Sequence, residues 1–153
     1  MRPSLIKSMA GGLAGTIMLT MMMRFVAPFM LGHPMDVAGM LGNMMGGSWA
    51  MGMVMHFVNG TVIFPLIYAF LLYRLLPGRP VVKGLVWGVV LWLGLQLIAM
   101  PMMEGGLFSM NAGGMKAAIV ALVGHLVYGS LLGSIAGAGV GLERQEDQVR
   151  RAA

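Results

Sequence analysis

Long apolar runs separated by short polar breaks set the plan of this chain. Windows of about 20 apolar residues, the length that crosses a bilayer as a helix, fall at about 5–23, 50–73, 82–103 and 116–140. Strands of a membrane barrel alternate apolar and polar positions over about 10 residues. These runs are longer and unbroken, so helix is the predicted state of each. LLPGRP (75–80) supplies a tight turn between the second and third runs, with Pro77 and Gly78 ending one helix before the next begins. The first break is longer, LGHPMDVAGMLGNMMGGS (31–48). His33-Pro34 opens a predicted short helix over about 33–46, because proline suits a first turn. Val37, Met40, Leu41 and Met44 fall on one face of it at helical spacing, and Gly46-Gly47 close it. Such a helix is expected to lie on the membrane surface.

The fold class that follows is an all-α integral membrane protein, a single four-transmembrane-helix bundle over residues 1–153. Composition agrees. The chain is 58% hydrophobic and 10% charged, with a mean hydropathy of +0.84, whereas a soluble domain carries about 25% charged residues. Arg2 and Lys7 precede the first run as they would in a signal peptide. No A-x-A site follows it and Arg24 comes directly after, so an uncleaved anchor is expected.

The net charge of +5 brings nucleic acid to mind, but the basic residues cluster between apolar runs, as topology signals do. Arg2, Lys7, Arg74, Arg79, Lys83, Arg144, Arg150 and Arg151 belong to one side, and only Arg24 and Lys116 to the other. That asymmetry predicts both termini in the cytoplasm of a bacterial inner (plasma) membrane and excludes a nucleic-acid partner. ERQEDQVRR (143–151) then lies in a solvated cytoplasmic tail, 143–153, as a frayed helix extension.

The second and fourth runs share a pattern, H-[FL]-V-x-G-[TS]: His56 to Thr61 matches His125 to Ser130. Lys7 ahead of Gly11, Gly12 and Gly15 likewise resembles Lys83 ahead of Gly84 and Gly88. The chain therefore reads as two two-helix repeats. A two-span unit returns to its starting side, so the copies are parallel and related by an axis along the membrane normal. His56 and His125 become equivalent positions, roughly 4–8 Å outward of mid-span at 1.5 Å per residue.

His56, Asn59, Gly60 and Ile63 share a helical face, with Gly52 one turn before. Ala121, His125, Gly129, Gly133 and Gly137 form a small-residue stripe that favours close helix approach. Gln96, Met100 and Glu104 line the third run, and Thr16 and Thr20 the first. Of 19 methionines, all but Met1 and Met9 map to the outer half. Cysteine is absent, which removes disulfides, thiolate ligands and thiol nucleophiles.

Three functions fit this inventory. The first is structural: His56 with Asn59, and His125 with Tyr128, hydrogen-bond between repeats in an accessory subunit or assembly factor of a larger membrane complex, or in a homodimer. The second is a b-type haem held by His56 and His125, with Gly52, Gly60, Ala121 and Gly129 clearing space and Arg24 meeting a propionate. The third is copper, since thioethers select Cu(I), with His56, His125, Met53, Met55, Met100 and Met103 as ligands. Paired carboxylates, a nucleophile elbow, HExxH and a phosphate loop are all missing, so enzymatic chemistry is not expected. Glu104 reads as an interfacial charge and His33 as a loop residue.

GGLAGT (11–16), HFVNGTVIFPLIY (56–68) and GHLVYGSLLG (124–133) make the chain similar to a family of small, uncharacterised four-span bacterial inner-membrane proteins. The resemblance covers most of the chain and implies fold and location only.

Overall fold

A computed structural model describes residues 3–138; the tail at 143–153 lies outside them. Among the described residues, four helices are long and apolar enough to cross a membrane: α1 (Leu5–Leu31), α3 (Trp49–Leu75), α4 (Pro80–Met102) and α5 (Gly114–Gly137). A shorter helix, α2 (Val37–Met44), lies between the first two. The protein is an all-helical four-span bundle whose apolar faces meet the lipid bilayer. Below, the basal end holds the start of α1, the α3–α4 turn and the end of α5; the apical end holds the two loops at 32–48 and 103–113.

The bundle is built around α5, which packs against α1 on one side and α4 on the other. In the most apolar stretch of each helix, 44% of α5 is buried against 22% of each other span. Glycine makes this possible. A Cβ at Gly84 would strike the carbonyl of Gly129 and stand 2.9 Å from the Gly133 nitrogen, and Gly137 lies against Pro80. Close backbone approach of this kind drives helix association where lipid is as apolar as the side chains. The remaining side of α1 takes the middle of α3. There Gly12 faces the ring of Pro65 and the Gly60 carbonyl, while Gly60 faces the Thr16 side chain.

The basal half is sealed by aromatics. Tyr68, Tyr73, Trp87, Tyr128, Leu132 and Ala136 form the buried core, with Phe64, Leu72 and Leu91 against it. Phe64 and Trp87 meet edge to face at 6.4 Å, and Tyr68 donates its hydroxyl to the Pro80 carbonyl at 3.2 Å. Lys83 closes the end of α3 by donating to the Tyr73 carbonyl at 2.7 Å, its Nζ 4.2 Å from the centre of the Tyr73 ring. Lys7 does the same for α5, donating to the Ala138 carbonyl at 2.6 Å. Cations at helix C-termini oppose the negative end of the helix dipole.

The helix ends depart from the apolar runs in two places. α1 continues through Arg24 to Leu31, because the helix widens to a π turn at Met22–Val26 that accommodates Pro28. α2 begins at Val37 and not at Pro34, because Asp36 caps it by accepting from the Gly39 N–H at 2.9 Å. Its packing face also differs. Ala38 and Gly42 are buried against Gly52 of α3, while Met44 is exposed.

Candidate functional site

Three prolines shape the bundle. Pro28, Pro65 and Pro101 each follow, two residues later, a five-residue π turn: Met22–Val26, Asn59–Ile63 and Leu95–Ala99. Proline has no N–H to donate and its ring clashes with the preceding turn. Widening the helix relieves the clash but leaves the carbonyl five residues back without its donor. In the membrane such a group must find another. For Pro65 that carbonyl is Gly60, which accepts from the Tyr128 hydroxyl at 2.7 Å. For Pro28 it is Met23, which accepts from the Met35 N–H at 3.1 Å. The first bond ties α3 to α5 through the core. The second ties the apical loop down onto α1.

His56 lies one turn apical to Gly60 and is half-buried. Its Nε2 is 3.1 Å from Thr20 Oγ1 on α1. Thr20 already gives its hydroxyl proton to the Thr16 carbonyl at 2.7 Å, and Thr16 gives its own to the Gly12 carbonyl at 2.7 Å. Thr20 Oγ1 is therefore the acceptor, which places the His56 proton on Nε2 and its lone pair on Nδ1. His125 is arranged differently. Its Nδ1 donates to the Ala121 carbonyl of its own helix at 2.7 Å, leaving the lone pair on Nε2. His56 also meets Phe57 edge to face, at 5.8 Å.

Of the ties expected between the two copies of H-[FL]-V-x-G-[TS], Tyr128 does reach the other copy, but at the Gly60 backbone, while His56 turns to Thr20 of α1. Asn59 is half-buried at the start of the π turn. The small-residue gaps proposed for a porphyrin are taken up by neighbouring helices. Ala38 fills the space beside Gly52, Thr16 that beside Gly60, and Gly84 that beside Gly129. His56 Nε2, the nitrogen on the outer edge of the ring, is already engaged. This arrangement does not fit a haem between the two histidines.

Gln96 is fully buried at the apical end of α4. Its Oε1 accepts from Ser109 Oγ at 2.9 Å, while its Nε2 has no partner among the described residues. Trp92 donates to the Ala118 carbonyl at 2.8 Å. Met100 is buried beside Gly105, whose N–H donates to the Met100 carbonyl at 2.8 Å. Met55 and Met103 are half-buried.

Above Thr20 opens a cavity of about 410 Å³. Met23 and Arg24 of α1, Met35 and Asp36 of the loop, and Trp49 and Met53 of α3 are in its wall, with Thr20 at the level of His56. Asp36 Oδ1 accepts from both Gly39 N–H and Trp49 Nε1, each at 2.9 Å, which fastens the loop to α3. Of the methionines expected to gather near His56, only Met53 lines this space. Met23, Met35 and Trp49 stand outside the ligand set read from the histidine repeat. Their only sequence signal is Pro28, which orphans the Met23 carbonyl, and Asp36 three residues before Gly39, a capping pattern.

A model of a family of unknown function, DUF6789, matches residues 2–146. No curated protein and no solved structure matches the chain.

Proposed function

The chain belongs to the DUF6789 family of unknown function, and we propose that it is an accessory subunit or assembly factor of a larger membrane complex. One observation carries this reading: polar groups of the spans are used to join helices. Thr20 holds His56, Tyr128 holds the Gly60 carbonyl, and Trp92 holds the Ala118 carbonyl. Each such bond is worth about 0.6 kcal/mol on average in a membrane protein. Together they fix register, which is the task of a scaffold. α1, α3 and α4 meanwhile turn most of their surface outward, leaving wide faces for lipid, a second copy or partner subunits.

In this reading both termini are cytoplasmic, because Arg74, Arg79, Lys83 and Lys7 lie at the basal end, and the membrane is a bacterial inner membrane. The apical cavity then faces outward. An internal duplication is supported by corresponding ties. Lys7 of α1 closes the end of α5 as Lys83 of α4 closes the end of α3. Gly60 packs on α1 as Gly129 packs on α4.

Purification from native membranes in two mild detergents tests the assignment. A fixed-stoichiometry assembly in both supports it, and a monodisperse single chain in both removes it. Because the chain has no cysteine, Arg79→Cys and Met110→Cys report sidedness cleanly. An impermeant maleimide added to whole cells with a permeable outer membrane should label only Met110→Cys.

A second reading, copper handling at the apical face, is favoured by the three thioethers around the cavity. The haem reading has no comparable support.

A further inference from the structure

We propose that the apical cavity is a binding site for a soft monovalent cation, Cu(I), with the thioethers of Met23, Met35 and Met53 as its ligands. This rests on the copper reading above but assigns a different ligand set from the one the histidine repeat suggests.

The three sulfur-bearing residues come from three separate segments: α1, the apical loop and α3. Their convergence is built into the backbone. Pro28 leaves the Met23 carbonyl without a donor, and the Met35 N–H fills that place at 3.1 Å, so the two residues are paired directly. Asp36, next to Met35, accepts from Trp49 Nε1 at 2.9 Å, which fixes the loop against the helix that carries Met53. Met23 is 8% exposed, so its thioether faces the interior and not lipid.

The donor set suits the ion. Thioether sulfur is soft and uncharged, which selects Cu(I) over the hard and borderline divalent cations. A chain without cysteine has no stronger soft ligand with which to compete. Arg24 adds a positive charge and Asp36 a negative one, so the fixed charges of the wall balance and do not repel a monovalent ion. Met side chains have three rotatable bonds and can close on a small ion from the wall of a larger space.

The test uses the full chain in lipid nanodiscs, titrated with Cu(I) under ascorbate against a chromophoric competitor. The wild-type chain should bind one Cu(I). The triple variant Met23→Leu, Met35→Leu, Met53→Leu, close to volume-conserving and so expected to fold, should bind at least about tenfold more weakly. A control variant, Met102→Leu, Met110→Leu, Met115→Leu, alters exposed methionines and should bind as wild type. Methyl-labelled methionine spectra of the wild-type chain titrated with Ag(I) give an independent reading, with the methyl signals of Met23, Met35 and Met53 moving first. Retained binding in the triple variant with loss in the control would overturn this site and leave the copper reading standing. Equal loss in both would also overturn the site. Absence of binding by the wild-type chain would remove both.

Discussion

The two seams that carry the histidines share a sequence pattern and solve the packing problem differently. In the α4–α5 seam, glycine meets glycine: Gly84 lies on the backbones of Gly129 and Gly133, and Gly88 on the carbonyl of His125. In the α1–α3 seam, Gly60 lies on the Thr16 side chain, and Gly12 on the ring of Pro65 as well as the Gly60 carbonyl. The first seam is backbone on backbone, and its histidine turns to its own helix at Ala121. The second carries side chains in the contact, and its histidine reaches across to Thr20. A polar side chain can bridge helices only where packing leaves it room, so segments that share a pattern need not make equivalent sites.

One added methyl group in each seam should separate the two most strongly. Gly129→Ala would drive a Cβ into the Gly84 carbonyl, with the Gly88 nitrogen 3.0 Å away, and backbone cannot yield. It should cost about 3 kcal/mol, the upper end of ordinary overpacking. Gly60→Ala meets the Thr16 side chain instead, which can turn away only by giving up its bond to the Gly12 carbonyl, and should cost less, about 2 kcal/mol. Unfolding in bicelles measured by steric trapping gives both values. Equal costs would mean the seams are alike after all.

Tyr128→Phe comes next. It strips the donor from the Gly60 carbonyl that Pro65 has orphaned, in the core where the seams meet. The expected loss is about 1–2 kcal/mol, at the high end for a membrane hydrogen bond. If Pro65 is the reason that bond matters, Pro65→Ala, which restores the N–H, should make the Tyr128→Phe loss smaller. At the apical end, Asp36→Ala removes both the α2 cap and the acceptor of Trp49, and should cost about 1 kcal/mol. Amide exchange should then accelerate across Val37–Met44 while α5 is unchanged. The smallest effect is expected at His125. His125→Leu removes a bond made within one helix, and such local bonds do little for helix association. It should alter stability by less than about 0.5 kcal/mol.

Much of this architecture is legible in hydropathy. Runs of about 20 apolar residues can be little else than spanning helices, and Pro77-Gly78 marks the basal turn without ambiguity. The histidines also declare themselves, because ionisable residues in such runs are rare. Hydropathy misleads at Arg24. A charge reads as the end of a span, yet at 1.5 Å per residue the 27 residues of α1 reach about 40 Å, beyond a core of about 30 Å, so the helix continues past it. The cavity is invisible for another reason. It depends on the Met35 N–H finding the Met23 carbonyl, a pairing decided by which carbonyl Pro28 leaves vacant in three dimensions. The apolar face read for 33–46 fails in a related way. α2 seats itself by its smallest residues, Ala38 and Gly42, because Gly52 offers a backbone to approach.

Polar side chains join the spans at Thr20–His56, Tyr128–Gly60 and Trp92–Ala118, and His56 does so where His125 does not. A double-mutant cycle of His56→Ala with Thr20→Val, followed by steric trapping in bicelles, addresses it directly. A coupling of about 0.6 kcal/mol between the two positions, and none between His125→Ala and Thr20→Val, is the predicted result. Strict additivity of His56→Ala and Thr20→Val, with His125 coupled to Thr20 instead, would contradict it.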